Sequence, residues 1–248
     1  MVTHSSRPAA STQVHVDFDW GAPGLDRLRG SCDLLIIVDV LSFSTSVEIA
    51  VSCGATIYPC QKRDEAAAEL ARRLEGHLAG SRRHGTSAYS LSPFSLLGIP
   101  QGTRLVLPSP NGATLSLATE GLPTLSGCLR NAEAVARAAT RLGKRVGVLA
   151  AGERWPDGSL RLALEDALGA GAIIHALRGQ KTPDAESVAA IFRGLRRGLA
   201  SILRECPSGH ELIERGFDRD IDLAGELNRS DTVPVLRECL YYTALEDE

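Results

Sequence analysis

The sequence has 248 residues and a formal net charge of -3, and it is 44% hydrophobic, 23% charged and 4% aromatic. These values are ordinary for a globular protein with an aliphatic core. The acidic balance and the scarcity of aromatic residues argue against a broad nucleic-acid surface, which needs cations for phosphates and rings for base stacking.

Strand-like and helix-like patterns alternate in the first part of the chain. Residues 1–13 are polar where a secretory signal would need an apolar core, so we expect a frayed tail. The elements predicted next are a strand at 14–18, a buried central strand at 33–40, a helix at 44–53, a strand at 56–60 and a helix at 62–79. Pro59 has no N–H to donate, which predicts that its strand ends near a sheet edge.

The alternation continues to the end of the chain. Residues 80–102 are rich in Gly, Ser and Pro and are predicted to form a long loop. The later elements are a strand, a turn and a helix start within 103–114, a strand at 124–127, a helix at 131–142 with Asn131 as its N-cap, a strand at 144–152, and helices at 159–177, 184–204 and 222–228. The sequence therefore predicts an α/β fold, with a mostly parallel sheet layered with helices in one domain or two intimately packed lobes.

Cysteine spacing and hydropathy indicate the class of protein. Six cysteines are scattered without a Cys-x-x-Cys pair, so neither a disulfide framework nor a zinc cluster is predicted. No segment approaches 18 uninterrupted apolar residues, so we expect no transmembrane helix. These features favour a soluble cytoplasmic protein.

Polar residues cluster where three predicted strands end, which is the edge where open α/β sheets bind ligands. The clusters are Asp39 with Ser42, Ser44 and Thr45; Ser109 with Asn111 and Gly112; and Gly152 with Glu153, before the helix that carries Glu165 and Asp166. Small or hydroxylated residues there let backbone N–H groups approach an anion. Each cluster alone is more typical of a helix cap or a plain turn, but all three fall where one cleft would lie.

The acids Asp39, Glu165 and Asp166 predict a cation site at the same edge. Carboxylates, water and phosphate oxygens are the ligands that Mg²⁺ prefers. Glu165 and Asp166 point about 100° apart on a helix, so we expect one to bind metal while the other caps a neighbour or faces solvent. The alternative is that both are ordinary helix-surface acids.

His210 lies in the first turn of a short predicted helix, with Ser208 as its cap. A histidine in this place is a general acid, a phosphate ligand or a surface residue, and the sequence leaves all three open. The nucleotide-binding motifs G-x-x-x-x-G-K-S/T and G-x-G-x-x-G are absent, as is the hydrolase motif G-x-S-x-G.

Longer blocks of the sequence resemble the 2-phosphosulfolactate phosphatase family. The blocks occur in order and cover most of residues 33–228: IIVDVLSFSTSVEIAVSCGATIYP, SLSPFSL, LVLPSPNGATLS, GCLRNAEAVA, VLAAGERWPDGSLRLALEDALGAGAII and SGHELIERGFDRDIDLAGELN. The resemblance implies a single domain over 14–248 and a Mg²⁺-dependent acid phosphatase. Such an enzyme hydrolyses (2R)-phospho-3-sulfolactate to sulfolactate and phosphate, a step towards coenzyme M. A small phosphorylated acid is thus the expected substrate, without nucleic-acid or membrane partners, and a homodimer is compatible with the pattern.

The resemblance also assigns roles to single residues. Asp39 matches the family's Asp-Val-Leu motif, and with the Leu-Glu-Asp residues Glu165 and Asp166 it is the expected metal ligand. Asp39 and His210 are the expected catalytic residues, His210 and Asp220 being part of the C-terminal motif. The expected substrate-binding positions are Ser42, Ser44, Thr45, Ser109, Asn111, Gly112, Arg130, Asn131 and Gly152.

Two departures from the family pattern concern anion recognition. The family usually has arginine directly after Asp-Val-Leu, where this chain has Ser42, and its Gly-Asn-Ser-Pro segment is Ser90–Leu91–Ser92–Pro93 here. Arg130, beside Asn131, is a candidate source of the missing positive charge. The metal chemistry is thus expected to be retained, while the alternative is an anion-binding or regulatory protein that has lost catalysis.

Overall fold

A computed structural model describes residues 13–80 and 87–243. Residues 1–12 of the predicted tail and residues 81–86 of the predicted long loop lie outside the described residues. Within the described ranges, the helices all lack the combination of length and apolar character that a bilayer crossing requires.

The strands form one large sheet and a small hairpin within the described residues. They are β1 His15–Trp20, β2 Leu34–Val38, β3 Thr56–Cys60, β4 His77–Leu78, β5 Arg104–Pro108, β6 Thr124–Gly127, β7 Arg145–Ala150, β8 Glu153–Arg154, β9 Leu160–Arg161, β10 Gln180–Lys181, β11 Pro234–Arg237 and β12 Leu240–Thr243. The 10-stranded sheet has the order β10-β1-β7-β2-β6-β11-β12-β3-β5-β4, and β8 pairs with β9 separately.

Helices layer this sheet. They are α1 Gly21–Arg29, α2 Phe43–Ser52, α3 Glu65–Arg73, α4 Gly112–Leu117, α5 Ala132–Leu142, α6 Leu164–Ala176, α7 Pro183–Leu195, α8 Leu199–Glu205, α9 Pro207–Glu214 and α10 Asp218–Ala224, with 3-10 turns at Pro93–Leu96 and Arg196–Gly198. The predicted fold class, a mostly parallel α/β sheet layered with helices, is confirmed.

Strand β2 is buried along its whole length, as its unbroken apolar sequence predicts. All five residues of LLIIV are buried, and the strand pairs in parallel with β7 on one side and β6 on the other. Because both faces and both edges of this strand are covered, all of its side chains are apolar. A side chain that can take part in chemistry can therefore come only after its last residue. Asp39 is that next residue.

The last described part of the chain, up to Thr243, differs from the prediction. Instead of finishing in helices, it forms an antiparallel hairpin of β11 and β12, which lies between β6 and β3. The hairpin joins two parallel groups of strands into one sheet. Tyr241 on β12 is fully buried, and its hydroxyl lies 2.8 Å from the Ser116 hydroxyl on α4.

Pro59 does not lie on an edge strand of the sheet. β3 pairs with β5 along its full length and with β12 only at Ile57. The pairing with β12 stops before Pro59, so no hydrogen bond of that strand pair is lost through the missing N–H of proline. Proline is therefore tolerated here although β3 is not an outer strand of the sheet.

Several helix boundaries also differ from the prediction. The helix expected at 62–79 ends at Arg73, and the chain then forms β4. The helix expected at 184–204 is divided into α7, a 3-10 turn and α8. The first residues of the helix expected at 159–177 belong to the hairpin of β8 and β9.

Candidate active site

Asp39 lies at the carboxyl end of β2, where the first turns of two helices meet its carboxylate. Its Oδ1 accepts a hydrogen bond from the Phe43 amide at 3.2 Å, and its Oδ2 accepts one from the Gly112 amide at 2.8 Å. Phe43 begins α2 and Gly112 begins α4. Charge-assisted bonds to amides at helix N-termini stabilise a carboxylate, so the sheet tolerates this acid although it is only 5% exposed.

Gly112 is required by the close packing around Asp39. A Cβ at this position would lie 2.4 Å from Cδ1 of Phe43 and 2.8 Å from Oδ2 of Asp39. The glycine therefore brings the α4 backbone to hydrogen-bond distance of the carboxylate. Its N–H is directed at Asp39, so the prediction that Gly112 binds substrate receives no support from this geometry.

Asp166 joins the ends of β2 and β7. Its Oδ1 accepts from the Val40 amide at 2.7 Å, and its Oδ2 accepts from the Gly152 amide at 2.9 Å. Gly152 has a φ of +66°, and a Cβ there would lie 2.9 Å from the Arg161 carbonyl oxygen. Burial, followed by the charges of Asp39 and Glu165, raises the pKa of Asp166 well above its usual value. Both predicted residues, Asp166 and Gly152, thus shape the strand ends.

Glu165 precedes Asp166 in the first turn of α6 and points to a different neighbour. The side chain is buried, and its Oε2 has no hydrogen-bond partner. Cys206 lies beside it, and burial, followed by the charge of Glu165, raises the pKa of that thiol to about 12. A buried carboxylate oxygen without a partner is costly, which marks Glu165 as a candidate cation ligand.

Glu153, which ends the third predicted strand-end cluster but was assigned no role there, belongs to the site. Its Oε2 accepts a hydrogen bond from Asn111 Nδ2 at 2.9 Å. Burial and the charge of Asp39 raise the pKa of Glu153 to about 7, against the opposing effect of the Asn111 hydrogen bond. Its position directly after Gly152, at the end of a predicted strand, was the signal that could have identified it.

A polar cleft of about 210 Å³ opens beside these carboxylates. Four of the predicted residues line it: Asp39, Ser42, Ser109 and Asn111. Ser42 follows a cis peptide bond and is buried at the cleft wall. An adjoining cavity of about 220 Å³ shares Pro110, Asn111 and Glu153 with the cleft. Strand ends and α9 thus enclose one polar space, as the clustering of polar strand ends predicts.

Other predicted substrate-binding residues are held by the protein backbone. The Ser44 hydroxyl accepts from the Asp39 amide at 3.0 Å and donates to the Ile37 carbonyl, and the Thr45 hydroxyl donates to the Val40 carbonyl at 2.8 Å. Both side chains are fully buried. They shape the turn after β2 and do not line the cleft, which agrees with the capping alternative for this Ser-Thr cluster.

Arg130 and Asn131 also lie away from the cleft lining. Arg130 Nε donates to the fully buried Glu48 at 2.6 Å, and a second nitrogen of Arg130 binds Glu226. Asn131 stands at the N-cap position of α5, but its side chain accepts from the Cys128 amide at 2.9 Å and donates to the carbonyl oxygens of Ser126 and Thr232. Their binding capacity is used within the fold, so a substrate role receives no support here.

His210 is exposed on α9 and does not line the cleft. The residues of this helix segment that do so are Ser208, Glu211, Leu212 and Arg215, whose spacing marks one helix face. His210 falls outside that spacing. Ser208 is not the N-cap, because α9 starts at Pro207 and the Cys206 sulfur accepts from the Gly209 amide.

The donor set suits Mg²⁺, although no three His, Cys, Asp or Glu side chains among the described residues form a ready-made ligand group. Mg²⁺ usually keeps several waters and takes only one or two protein carboxylates, with substrate phosphate completing the shell. Here Glu165 has an unpartnered oxygen, and burial, followed by neighbouring negative charges, raises the pKa values of Asp166 and Glu153. A divalent cation would relieve this repulsion, so the residues fit the metal.

The comparisons with known proteins converge on one family. The family model for 2-phosphosulpholactate phosphatase matches residues 25–239. A probable 2-phosphosulfolactate phosphatase of Carboxydothermus hydrogenoformans is 32% identical over 218 residues, which cover 84% of this chain and 89% of that protein. A 2-phosphosulfolactate phosphatase of Methanothermobacter thermautotrophicus is 32% identical over 216 residues, covering 86% and 90%. With a match along most of its length and relatives at this identity, the chain belongs to the 2-phosphosulfolactate phosphatase family, whose members are phosphoric monoester hydrolases.

Proposed function

We propose that this protein is a Mg²⁺-dependent phosphatase that hydrolyses 2-phospho-3-sulfolactate to sulfolactate and phosphate. The supporting observation is the position of Asp39, held at the end of β2 by amides of two helices and facing a polar cleft. Around it lie the further carboxylates Glu153, Glu165 and Asp166. This arrangement, in a member of this family, suits the transfer of a phosphoryl group to water.

Asp39 and Glu165 are the residues that we assign to the metal. Mg²⁺ bound there would supply a Lewis acid that polarises the phosphoryl group and offsets its developing negative charge. Asp39 is pre-oriented, since the amides of Phe43 and Gly112 fix both of its oxygens. Asp166 is a positioning residue, because its oxygens hold the amides of Val40 and Gly152 and so fix the strand ends.

Glu153 is the group that we assign to the leaving oxygen. Hydrolysis breaks the bond between phosphorus and the ester oxygen, and that oxygen must gain a proton to leave as an alcohol. Burial is the largest cause that raises the pKa of Glu153, to about 7 in the metal-free protein. Burial persists when Asp39 holds a cation, so Glu153 is the carboxyl that we expect to keep its proton. Asn111 Nδ2 donates to Oε2, so the proton to be transferred is carried on Oε1.

Phosphate release from 2-phospho-3-sulfolactate tests this function. The protein is stripped with EDTA and assayed with and without added Mg²⁺, beside the variant Asp39→Asn. We expect Mg²⁺-dependent release by the wild type and at least a 100-fold lower rate for the variant with its fold intact, by analogy with the loss of a charge-stabilising group.

The outcomes separate this proposal from its alternative. Binding of the substrate without turnover, at any Mg²⁺ concentration, would favour an anion-binding protein that has lost catalysis. Equal rates for wild type and Asp39→Asn would contradict the role of Asp39. A place on the route to coenzyme M and a homodimer stay predictions from the family resemblance, and a cytoplasmic location stays a prediction from the sequence.

A further inference from the structure

The charged side chains of the described residues that line the cleft are mostly acidic, which is unfavourable for an acidic substrate, and Arg215 is the exception. Asp39, Glu153 and Glu211 are acids, and Arg215 is the cationic residue among the described residues that line this cleft. The proposed substrate, 2-phospho-3-sulfolactate, has negative charge at three separate groups: its phosphate, its carboxylate and its sulfonate. A metal ion near Asp39 would meet the phosphate, which leaves the carboxylate and the sulfonate to be recognised elsewhere in the cleft.

Arg215 directly follows α9, on the helix face that covers the cleft. Ser208, Glu211, Leu212 and Arg215 are spaced by three, four and seven residues along the chain, so they share this face. The strand-end acids Asp39 and Glu153 line the same cleft. A small substrate that places its phosphate at Asp39 therefore has its remaining groups in a cleft that this helix face also lines.

The guanidinium of Arg215 is held loosely. It makes an ion pair with Glu211 at 3.4 Å, and both side chains are about half exposed, at 48% and 54%. Arg161 approaches the same Glu211 at 3.9 Å and donates to the Ser208 hydroxyl at 3.2 Å. An exposed pair of this length is worth little, so an incoming anion can displace the Glu211 carboxylate without a large penalty.

We propose that Arg215 is the specificity-determining residue that binds one of the two further acid groups of the substrate, its carboxylate or its sulfonate, in the place that Glu211 occupies here. This inference rests on the proposed phosphatase function and concerns the same cleft. An arginine fork matches the paired oxygens of either acid group. Arg215 would thereby supply the positive charge that the family usually has in the arginine after Asp-Val-Leu, where this chain has Ser42. Arg130, the other candidate, is already paired with Glu48.

Kinetics with four phosphate esters test the inference. The esters are 2-phospho-3-sulfolactate, phosphoglycolate with a carboxylate alone, the phosphate ester of 2-hydroxyethanesulfonate with a sulfonate alone, and ethyl phosphate with neither. Arg215→Met should raise KM about 10- to 100-fold for esters that carry the recognised acid group and leave kcat nearly unchanged, because this contact is equal in ground and transition states. Ethyl phosphate should show no change.

Three further variants sharpen the result. Arg215→Lys keeps the charge but loses the fork, so it should recover only part of the affinity. Glu211→Gln removes the competing carboxylate and should lower KM, by up to about 5-fold. Arg204→Met is the matched control, since Arg204 pairs with Asp222 outside the cleft lining and should behave as the wild type.

Binding of the product provides a readout that needs no catalysis. By calorimetry, Arg215→Met should weaken the binding of 3-sulfolactate about 10- to 100-fold and leave the binding of inorganic phosphate unchanged. Equal affinity of wild type and Arg215→Met for 3-sulfolactate, or no binding by the wild type, would overturn the role of Arg215 even in an active enzyme. An inactive wild type that shows the predicted difference would overturn the phosphatase proposal alone.

Discussion

At the scale of single residues, Glu153 couples the site to pH through its carboxyl group. Burial and the nearby charge of Asp39 raise its pKa from 4.5 to about 7, while Asn111 and Arg161 favour the ionised form; the charge of Glu165 adds to the rise. A raised carboxyl pKa means that the folded state binds more protons than the unfolded state between these two values. The contribution of Glu153 to stability therefore falls as pH rises from about 4.5 to about 7.

The variant Glu153→Gln should remove this pH-dependent penalty. We expect the same stability as the wild type near pH 4.5 and a gain on the order of 1–3 kcal/mol at pH 8, since one pKa unit corresponds to 1.36 kcal/mol. The glutamine oxygen can still accept from Asn111. Urea unfolding at both pH values measures the difference. The control is Glu214→Gln, on the exposed end of α9, which reports the general effect of removing one negative charge. If Glu153→Gln gained the same stability at both pH values, this account would be contradicted.

Gly112 makes a second prediction at the residue scale. In Gly112→Ala, the added Cβ would meet Phe43 at 2.4 Å and Asp39 Oδ2 at 2.8 Å, so Asp39 must move. We expect a loss of stability of about 1–3 kcal/mol and a fall in kcat/KM of about 100-fold, because small displacements of a catalytic group have effects of this size.

Gly194→Ala is the control for this substitution. Gly194 lies in α7, where an added Cβ would have no neighbour within 4 Å. Alanine there should raise stability by about 0.5–1 kcal/mol and leave activity unchanged. Thermal unfolding and phosphate release measure both variants, and similar activity for Gly112→Ala and wild type would show that Asp39 tolerates displacement.

The convergence of site residues was only partly predictable from the sequence. Asp39 and Asn111 were placed in one cleft because strands of a parallel sheet end at the same edge, which local sequence reveals. Arg215 was not selected, since its importance depends on contacts with residues far away in the chain. Glu153 was part of a strand-end cluster but was given no role, because its contact with Asn111 comes from the fold. The burial of Ser44, Thr45 and Arg130 follows equally from tertiary contacts that no local pattern encodes.

At the scale of elements, strands with a long buried apolar segment were predicted correctly and short strands were not. Leu34–Val38 of β2 is uniformly apolar and was predicted correctly, because a strand buried on both faces must read this way. The two-residue strands β4, β8, β9 and β10 were missed, since two residues carry no periodicity. The β11–β12 hairpin was missed too, because its mixed apolar and charged residues gain their strand conformation from pairing with β6 and β3.

The hairpin supports the site through α4, which predicts an effect for Tyr241. Its hydroxyl contacts the Ser116 hydroxyl at 2.8 Å, and Ser116 donates to the Gly112 carbonyl at 2.7 Å. Tyr241→Phe should lower stability by about 1 kcal/mol, the net value of one hydrogen bond. Tyr241→Ala should cost about 3–5 kcal/mol, because a large buried ring leaves a cavity.

Urea unfolding of these variants, with Tyr242→Phe as the control, tests the role of the hairpin. Tyr242 lies next to Tyr241 on β12 but is only partly buried, so its variant should be within about 0.5 kcal/mol of the wild type. If Tyr241→Ala unfolds at the same urea concentration as the wild type, the hairpin does not stabilise the sheet as its position indicates.

At the scale of the whole molecule, the fold gathers carboxylates from distant segments and tolerates their mutual repulsion. Asp39 follows β2, Glu153 follows β7, and Glu165 and Asp166 begin α6. Neighbouring charges contribute to the raised pKa values of Asp166 and Glu153. Buried carboxylates that only the tertiary structure brings together are unfavourable in the metal-free protein, and a bound cation would offset their charge.

Metal binding should therefore be visible as a change in global stability. A ligand that binds only the folded state adds about 2.7 kcal/mol at 100 times its Kd, so Mg²⁺ should raise Tm by roughly 5–10 °C for a chain of this size.

Glu165→Gln should change Tm in opposite directions without and with Mg²⁺. Without metal it should raise Tm, since it removes a buried charge beside Asp166, and it should reduce the gain that Mg²⁺ produces. Thermal unfolding of EDTA-treated protein over a Mg²⁺ titration measures both effects, with Glu214→Gln as the surface control. An unchanged Tm of the wild type up to millimolar Mg²⁺, or an equal Mg²⁺ gain in Glu165→Gln, would contradict the assignment of Glu165, because a ligand cannot be removed without weakening the binding that stabilises the fold.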